Sequence, residues 1–362
     1  MRRPNLNRGG MYIVGLGTAH PEWRYTKSDC WESFKASPWF DRLDRRARMV
    51  TELVLSRDNG IDARYFAVDT LDKVFSIDPD TLHERFLTYA PVLASQAASR
   101  ALADAGLQAA DIDAVIVSTC TGYVCPALSS YVTESLGLRS DVQALDLVGQ
   151  GCGAALPNMR TGEALIASSR CARVLSICVE VSSAAMYLDN DVGVLISACL
   201  FGDGAGAAVL SATTQPGKRS VHWVRAASRV DPTHRDALRF EQRGGLLRNI
   251  LTREVPALAA TYAPQVLDEV LQAEGLQRRD INGWIWHAGG RDVLAALSQQ
   301  LALSDADIAH SAAILREYGN LSSAFVYFVL QAALAAEEPG GHWWLASFGA
   351  GFSSHGALLD VE

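Results

Sequence analysis

Two short sequence patterns each occur twice in this chain, and both times they occur in the same order. Residues 106–112 and 275–281 share Gly-Leu-Gln-x-x-Asp-Ile, and each leads into a short apolar run. Residues 201–204 and 348–351 share Phe-Gly-x-Gly, and each again precedes an apolar run. A glycine after a helical stretch is a frequent helix terminus, so the first pattern predicts a helix, a turn and a strand. The repetition predicts an α/β fold that arose by duplication.

Short apolar runs alternate with longer amphipathic stretches over most of the chain. This alternation is typical of strands connected by helices, and it predicts a largely buried sheet. Residues 211–220 form the most linker-like segment, so we expect an N-terminal half at 11–215 and a C-terminal half at 220–362. The expected strands are residues 12–15, 114–118, 143–147, 173–181, 205–210, 284–287 and 343–347, and the expected helices are residues 80–105, 152–169, 256–274, 292–301 and 321–336.

The composition excludes several classes of protein. Hydrophobic residues make up 49% of the chain, which is enough for a large core and excludes a disordered protein or a small disulfide scaffold. The formal net charge of −8 argues against a general nucleic-acid binder. No apolar run reaches the roughly 18 residues of a membrane span, and none follows Arg2, Arg3 and Arg8 as it would in a secretory signal. With an odd number of cysteines, seven, we expect reduced thiols and a cytoplasmic protein.

Cys152 has the sequence surroundings of a nucleophile. It lies within Gly-Gln-Gly-Cys-Gly, after the expected strand 143–147 and before an alanine-rich helical stretch. Small neighbours allow the sharp strand-to-helix turn that exposes a nucleophile, and we expect the helix N-terminus to lower the thiol pKa below its usual value of about 8.5. The alternative is a buried and inert cysteine, which is the interpretation we prefer for Cys171, Cys178 and Cys199.

Two further polar residues stand beside glycines. His287 ends the apolar run 284–287 and precedes Ala-Gly-Gly, where α/β proteins place ligands. Asn320 precedes the helical stretch 321–336, and taken alone it would be interpreted as a helix cap. The other histidines have no metal-ligand spacing, so we predict no metal site, and Gly202, Gly204 and Gly206 do not form a dinucleotide fingerprint.

Together these motifs resemble the type III polyketide synthases, the chalcone and stilbene synthase family of the thiolase superfamily. The resemblance covers nearly the whole chain and implies a thiolase-like α/β fold with two duplicated five-layered αβαβα halves. The segments that carry it are residues 149–153, 200–204, 287–290, 318–324 and 348–351.

The resemblance implies a catalytic triad of Cys152, His287 and Asn320. In this family the cysteine thiolate, which an imidazolium can stabilise, takes up an acyl starter as a thioester. The histidine and the asparagine then donate hydrogen bonds to the malonyl thioester as it loses CO2 and becomes an enolate. Iterative decarboxylative Claisen condensation, cyclisation and release follow. The implied enzyme is an acyltransferase that uses malonyl-CoA and acyl-CoA as substrates and needs no metal or redox cofactor.

The resemblance also implies a substrate cavity. Phe201 matches the aromatic gatekeeper, and Thr121 and Ser322 match cavity-lining positions. Cys125 matches a residue that reaches into the partner subunit, which implies a homodimer. Where plant enzymes have a second gatekeeper phenylalanine, this chain has Asn249 or Arg248.

The expected CoA-binding segment departs from the plant pattern. Residues 51–58 contain only Arg57 and two acids where plant enzymes carry a basic cluster. Arginines bind phosphate well, so Arg45, Arg46 and Arg48 are candidate replacements. The alternative is a starter delivered by an acyl carrier protein. A bacterial-type member is favoured over a plant one.

Three other functions fit parts of the sequence. A single-condensation ketoacyl synthase, similar to ketoacyl-ACP synthase III, shares Cys, His and Asn but usually has Gln-Ala-Asn after the histidine position. A papain-like protease shares the order Cys, His, Asn, but its Cys-Gly-Ser-Cys-Trp segment is absent. A catalytically silent scaffold would have no reason to keep all three polar motifs. The motif at residues 287–290 therefore favours the polyketide synthases.

Overall fold

A computed structural model describes residues 10–362, and residues 1–9, with Arg2, Arg3 and Arg8, lie outside the described part. The strands are β1 (Met11–Ala19), β2 (Arg24–Thr26), β3 (Ala63–Tyr65), β4 (Ala114–Thr119), β5 (Gln143–Val148), β6 (Arg173–Glu180), β7 (Gly204–Ser211), β8 (Val221–Val230), β9 (Leu238–Arg243), β10 (Leu246–Leu251), β11 (Ile281–Trp286), β12 (Gly341–Gly349) and β13 (Ser353–Val361). The helices are α1 (Lys27–Ala36), α2 (Pro38–Arg42), α3 (Arg45–Ser56), α4 (Pro79–Ala105), α5 (Leu128–Leu136), α6 (Ala155–Ala167), α7 (Val192–Leu200), α8 (Val255–Glu274), α9 (Arg291–Leu301), α10 (Asp305–Tyr318) and α11 (Phe325–Ala335).

One mixed nine-stranded sheet contains both copies of each repeated pattern. Its strand order is β11-β12-β13-β8-β1-β7-β6-β4-β5. On one side of the sheet, β1 pairs with β7 and β7 pairs with β6, both in antiparallel fashion, and β6 pairs in parallel with β4. From β8 outward, β13 and β12 pair in antiparallel fashion and β11 pairs in parallel with β12. The first pattern precedes β4 and β11, and the second precedes β7 and β13, so each pattern occupies equivalent places in the two series.

Helices and strands alternate in five layers that span the whole molecule. The outer helix α4 packs on β1, β6 and β7, and the outer helix α8 packs on β8 and β13. Between the two series lie α6, which contacts β4, β6, β12 and β13, and α11, which contacts β1, β7, β11 and β12. The fold is therefore α/β and thiolase-like, as the sequence predicted. The two central helices carry the segments that lead to the site.

The repeated glycine pattern builds the same helix end twice. Helices α4 and α8 end at Gly106 and Gly275, whose φ angles of +63° and +72° are left-handed. Each glycine N–H bonds back to the last turn, which satisfies carbonyls that the helix leaves free. A short 3-10 turn closed by a Gln–Asp capping box follows each glycine. Local sequence therefore specifies how the chain enters β4 and β11.

The structure departs from the sequence-based boundaries in a few places. The helix expected from residue 152 begins at Ala155, because a separate 3-10 turn holds residues 151–153. The predictions from sequence included neither the β9–β10 hairpin, which lies outside the main sheet, nor several further elements, which are β2, β3, β8, α1 to α3, α5, α7 and α10. No helix among residues 10–362 is long and apolar enough to cross a membrane.

Candidate active site

The turn that holds Cys152 depends on glycine. Cys152 lies in a single 3-10 turn between β5 and α6, and it is buried. Gly149 and Gly151 have φ angles of +82° and +58°, which side chains rarely adopt. A Cβ atom on Gly153 would lie 2.9 Å from the Cα atom of Gly349, so the turn packs directly against the second copy of the Phe-Gly-x-Gly pattern. The glycines therefore set both the backbone conformation and the close approach.

A series of hydrogen bonds connects two of the predicted catalytic residues, Cys152 and Asn320, and ends at Gly289, two residues after His287. The Ser322 hydroxyl donates to the Cys152 Sγ atom over 3.3 Å, and the Ser322 N–H donates to Asn320 Oδ1 over 2.8 Å. Asn320 Nδ2 donates to the carbonyl oxygen of Gly289 over 3.2 Å. A Cβ atom on Gly289 would lie 3.9 Å from Nε2 of His287. Ser322 has a left-handed φ of +51°, which the Asn320 side chain supports by closing a tight turn.

The His287 ring is buried and has no hydrogen-bonding partner among residues 10–362. Its Nδ1 atom is inaccessible and unpaired, and the ring packs edge-on against Phe325 with 5.3 Å between centroids. The backbone N–H of His287 donates to the Ala346 carbonyl at the end of β11, which fixes the residue at the strand end. Burial lowers the pKa of His287 to about 3, so the resting imidazole is neutral.

The resting thiol is also neutral, which corrects our expectation of a lowered pKa. Burial raises the pKa of Cys152 to about 12, the hydrogen bond from Ser322 opposes this rise, and the charge of Glu180 adds to it. Helix α6 begins only at Ala155, so the loss of solvent outweighs the helix dipole. In this structure the thiol must therefore lose its proton as it attacks.

Glu180 lies near Cys152, and it was not predicted from the sequence. Its carboxylate is fully buried at the end of β6 and accepts hydrogen bonds from the Thr121 hydroxyl (2.9 Å), the Cys120 N–H (3.1 Å) and the Ser323 hydroxyl (2.5 Å). The Ser322 hydroxyl also lies 3.3 Å from this carboxylate, so Glu180 and Cys152 share its single hydrogen as acceptors. Burial raises the pKa of Glu180. The sequence did contain a signal, an acidic residue at the end of a largely apolar strand. A carboxylate in such a buried position needs hydrogen-bond donors around it, which indicates a polar cluster.

A small inner cavity collects most of the predicted substrate-binding residues. It measures about 20 Å³, space for a single water molecule. Phe201, Thr121, Asn249 and Ser322 all line it, and residues of α7 complete its wall. Of the two candidates for the second gatekeeper position, Asn249 lines the cavity. Arg248 instead forms ion pairs, and its partners are Asp189, Asp191 and Glu241.

Cys125 lies away from the inner cavity. It is exposed and lines none of the cavities of its own chain. The loop that carries it leads away from the Glu180 cluster toward the surface, since Thr121 is buried and Tyr123 is 74% exposed. Within one chain Cys125 therefore does not contact the substrate site, and its predicted role requires a second subunit.

A larger outer pocket of about 690 Å³ lies on the other side of α7, whose Ile196 and Leu200 line it. Leu200, Gly289 and Gly290 line it next to His287 and Asn320, and the exposed Arg57 and Leu53 line it at the surface. The sequence analysis identified Arg57 but missed the other two arginines of this pocket, Arg253 and Arg291. The outer pocket is not lined by the arginines that the sequence suggested as replacements for the plant basic cluster, Arg45, Arg46 and Arg48.

The structure brings a buried cysteine and a buried asparagine together beside a strand that ends at a buried histidine, and comparison with known proteins identifies the family of the chain. A family model described as "FAE1/Type III polyketide synthase-like protein" matches residues 52–272. The chain belongs to the type III polyketide synthase family. A second model, for the C-terminal domain of chalcone and stilbene synthases, matches residues 226–359 of this type III polyketide synthase.

Individual relatives agree over almost the full length of the chain. A 1,3,6,8-tetrahydroxynaphthalene synthase from Streptomyces peucetius subsp. caesius is 31% identical, over 97% of this chain and 93% of the relative. A 3,5-dihydroxyphenylacetyl-CoA synthase from Streptomyces toyocaensis is 27% identical, over 96% and 89%. The crystal structure of PKS-I from the brown alga Ectocarpus siliculosus superimposes with a TM-score of 0.88 at 27% identity, over 97% of this chain and 98% of that one. This type III polyketide synthase is therefore a condensing acyltransferase, and the single-condensation alternative is not favoured.

Among residues 10–362, no cluster of histidine, cysteine and carboxylate side chains has the arrangement of a metal site.

Proposed function

We propose that the enzyme loads an acyl starter onto Cys152 and extends it by repeated decarboxylative Claisen condensation with malonyl-CoA, followed by cyclisation and release. The observation that carries the proposal is the series of hydrogen bonds from Cys152 through Ser322 and Asn320 to Gly289. Ser322 lines the inner cavity, and Gly289, two residues after His287, lines the outer pocket. The outer pocket suits the pantetheine arm of CoA, and the inner cavity, which has space for one water molecule, must widen to accept the growing chain.

In the loading step the Cys152 sulfur attacks the starter thioester, and the CoA thiolate leaves. Because the thiol is neutral at rest, its proton must move during attack, and the neutral His287 can accept it and pass it to the leaving thiolate. In the extension step His287 and Asn320 donate hydrogen bonds to the malonyl thioester oxygen. These donors stabilise the enolate that forms as CO2 leaves, and the enolate carbon attacks the Cys152 thioester.

We propose that the halves at 11–215 and 220–362 divide this work. The N-terminal half supplies the nucleophile, and the C-terminal half supplies His287 and Asn320. The reaction as written needs no cofactor, because decarboxylation drives each condensation.

We further propose that the enzyme is a homodimer. The edge strand β5 is half exposed, and Val148 at its end and Tyr123 beside Cys125 are 59% and 74% exposed. Both line a surface cavity of about 760 Å³ that shares Thr121 with the inner cavity. A second copy covering this face would bring its Cys125 toward the neighbouring site.

Product analysis by mass spectrometry tests the proposed function. Purified enzyme is incubated with malonyl-CoA and a panel of acyl-CoA starters, with Cys152→Ala as the blank. Products of two or more extensions that require Cys152 are expected. A product of one extension would favour a ketoacyl synthase, and full polyketide yield from Cys152→Ala would overturn the mechanism.

The role of Asn320 is tested separately. Asn320→Ala should still acquire the starter on Cys152, seen as an increase in intact mass, but should not decarboxylate malonyl-CoA. Asn282→Ala, at an exposed position of β11, is the matched control and should do both. Equal loss of loading and decarboxylation in Asn320→Ala would contradict the assigned role.

A further inference from the structure

One face of helix α3 is exposed, apolar at its centre and basic at its ends. Arg46, Met49 and Leu53 follow one another at spacings of three and four residues, which places them on one side of the helix, and Arg57 is the residue directly after the helix. Met49 is 59% exposed and Leu53 is 45% exposed, and both arginines are exposed. We call these four residues the α3 stripe. With a rise of about 1.5 Å per residue, it extends over roughly 16 Å.

The positive charge of the α3 stripe is not neutralised within the described chain. Neither Arg46 nor Arg57 forms an ion pair with a carboxylate among residues 10–362, and the same is true of the neighbouring Arg45. The whole chain has a formal net charge of −8, so this surface differs from the protein average. Unpaired arginines around exposed apolar side chains favour an acidic partner that presents its own apolar side chains.

The α3 stripe borders the entrance of the outer pocket. Leu53 and Arg57 belong both to the stripe and to the pocket lining, and the same pocket reaches Gly289 and Gly290 beside His287. A partner seated on the stripe would therefore present a flexible thioester arm directly to the route that leads to Cys152. Met49 and Arg46 do not line the pocket, so a thioester arm bound within the pocket would not contact them.

We propose that the α3 stripe docks an acidic acyl carrier protein, which delivers the starter on its phosphopantetheine arm. This inference rests on the proposed function, because it names the donor for the same Cys152. In the transfer, a bond forms between the Cys152 sulfur and the acyl carbon, and the bond between that carbon and the pantetheine sulfur breaks. The thiol proton goes to the leaving pantetheine thiolate, so nothing is oxidised or reduced.

The test compares two donors of the same acyl group: octanoyl-CoA and an octanoyl-loaded bacterial acyl carrier protein. Acylation of Cys152 in the full-length enzyme is followed by intact mass. Arg46→Glu and Met49→Asp should each reduce kcat/KM for the carrier donor about tenfold, because they reverse a charge or place one in the apolar centre, and leave the CoA donor within about twofold. Unchanged use of octanoyl-CoA also shows that the variants fold.

Matched controls lie elsewhere on the surface. Arg170→Glu reverses an exposed arginine, and Val92→Asp alters a side chain that is 48% exposed. Neither should change kcat/KM for either donor. Raising the salt concentration should weaken use of the carrier donor in wild type more than in Arg46→Glu.

The outcomes separate the two proposals. Loading from CoA with no loading from the carrier, or equal effects of the stripe and control variants, would overturn the docking site and leave the proposed function intact. Loading from neither donor would overturn both. Binding of the stripe to anionic phospholipid vesicles, lost in Met49→Asp, with no transfer from the carrier would assign the surface to a membrane and overturn the carrier proposal.

Discussion

At the scale of single residues, the chemistry of the site depends on a thiol that is hard to ionise. Cys152 is enclosed by protein, and its two polar neighbours act in opposite directions. The Ser322 hydroxyl donates a hydrogen bond that stabilises the thiolate, and the Glu180 carboxylate repels it. A nucleophile in this state is protected from stray reagents until a thioester and a proton acceptor are both in place.

The reaction of Cys152 with iodoacetamide should report this state. Because the pKa of the thiol is raised to about 12, the rate should keep increasing, about tenfold per pH unit, from pH 7 to beyond pH 9. Ser322→Ala removes the favourable hydrogen bond, so its rate at pH 8 should be lower. Mass spectrometry of peptides measures the rate, and free glutathione in the same reaction serves as the reference thiol. A rate that levels off near pH 7 would contradict a neutral thiol.

Glu180→Gln should act in the opposite direction. The substitution removes the charge that raises the pKa of Cys152, so alkylation at pH 8 should be faster than in wild type. It also places an amide among hydroxyl donors, so the free energy of unfolding should fall by about 1–3 kcal/mol. Urea unfolding checks the stability, and Glu134→Gln, on an exposed turn of α5, is a control for both measurements. Slower alkylation in Glu180→Gln would contradict the electrostatic role.

The sequence was sufficient to predict which residues form the site, but it was not sufficient to predict the pKa of the thiol. Cys152, His287 and Asn320 stood out because glycines beside them mark sharp turns, which is local information. The pKa of the thiol and the role of Glu180 depend on how deeply β6 and the 3-10 turn are buried, which distant segments determine. This is why the expected helix-dipole effect was overestimated.

At the scale of elements, the C-terminal end of α7 is held by one buried arginine. Arg64 on β3 donates through Nη1 to the carbonyl oxygens of Ala198 (2.8 Å) and Phe201 (3.1 Å). Its guanidinium also stacks on Phe66, 4.8 Å from the ring centroid. These contacts satisfy the end of the helix and fix the backbone of Phe201, the predicted gatekeeper.

Arg64→Ala should therefore loosen α7. We expect the free energy of unfolding to fall by about 1–3 kcal/mol, because two buried carbonyls lose their donor. We also expect a broader distribution of product lengths, because Phe201 is no longer fixed. Arg24→Ala, on the adjacent strand β2, removes only a surface ion pair with Glu317 and should change stability by at most about 1 kcal/mol. An unchanged product profile in Arg64→Ala would contradict the positioning role.

The elements that the sequence specified best are those with local signals. The ends of α4 and α8 were predictable because a glycine and a capping box fix each one. The β9–β10 hairpin and α3 were not, since they lie outside the repeated framework and are held by tertiary contacts. One such contact set is the Arg248 cluster, which joins β10 to the segment before α7.

At the scale of the whole molecule, the exposed face around β5 should be the dimer interface. Sedimentation velocity should show a dimer for wild type. Val148→Asp and Tyr123→Asp should shift the protein toward monomer, because each places a charge in an apolar contact. Val230→Asp, at a side chain that is 63% exposed on β8, is the matched control and should stay dimeric. A wild-type monomer at micromolar concentrations would contradict the proposed assembly.

Helix α7 separates the two cavities. Val194, Ser197 and Ala198 face the inner cavity, and Ile196 and Leu200 face the outer pocket. An intermediate that outgrows the inner cavity must displace this helix toward the space that the next extender unit has to occupy. A longer polyketide chain and the next malonyl-CoA therefore compete for the space of the outer pocket. A limit on the number of extensions is thus built into the partition itself.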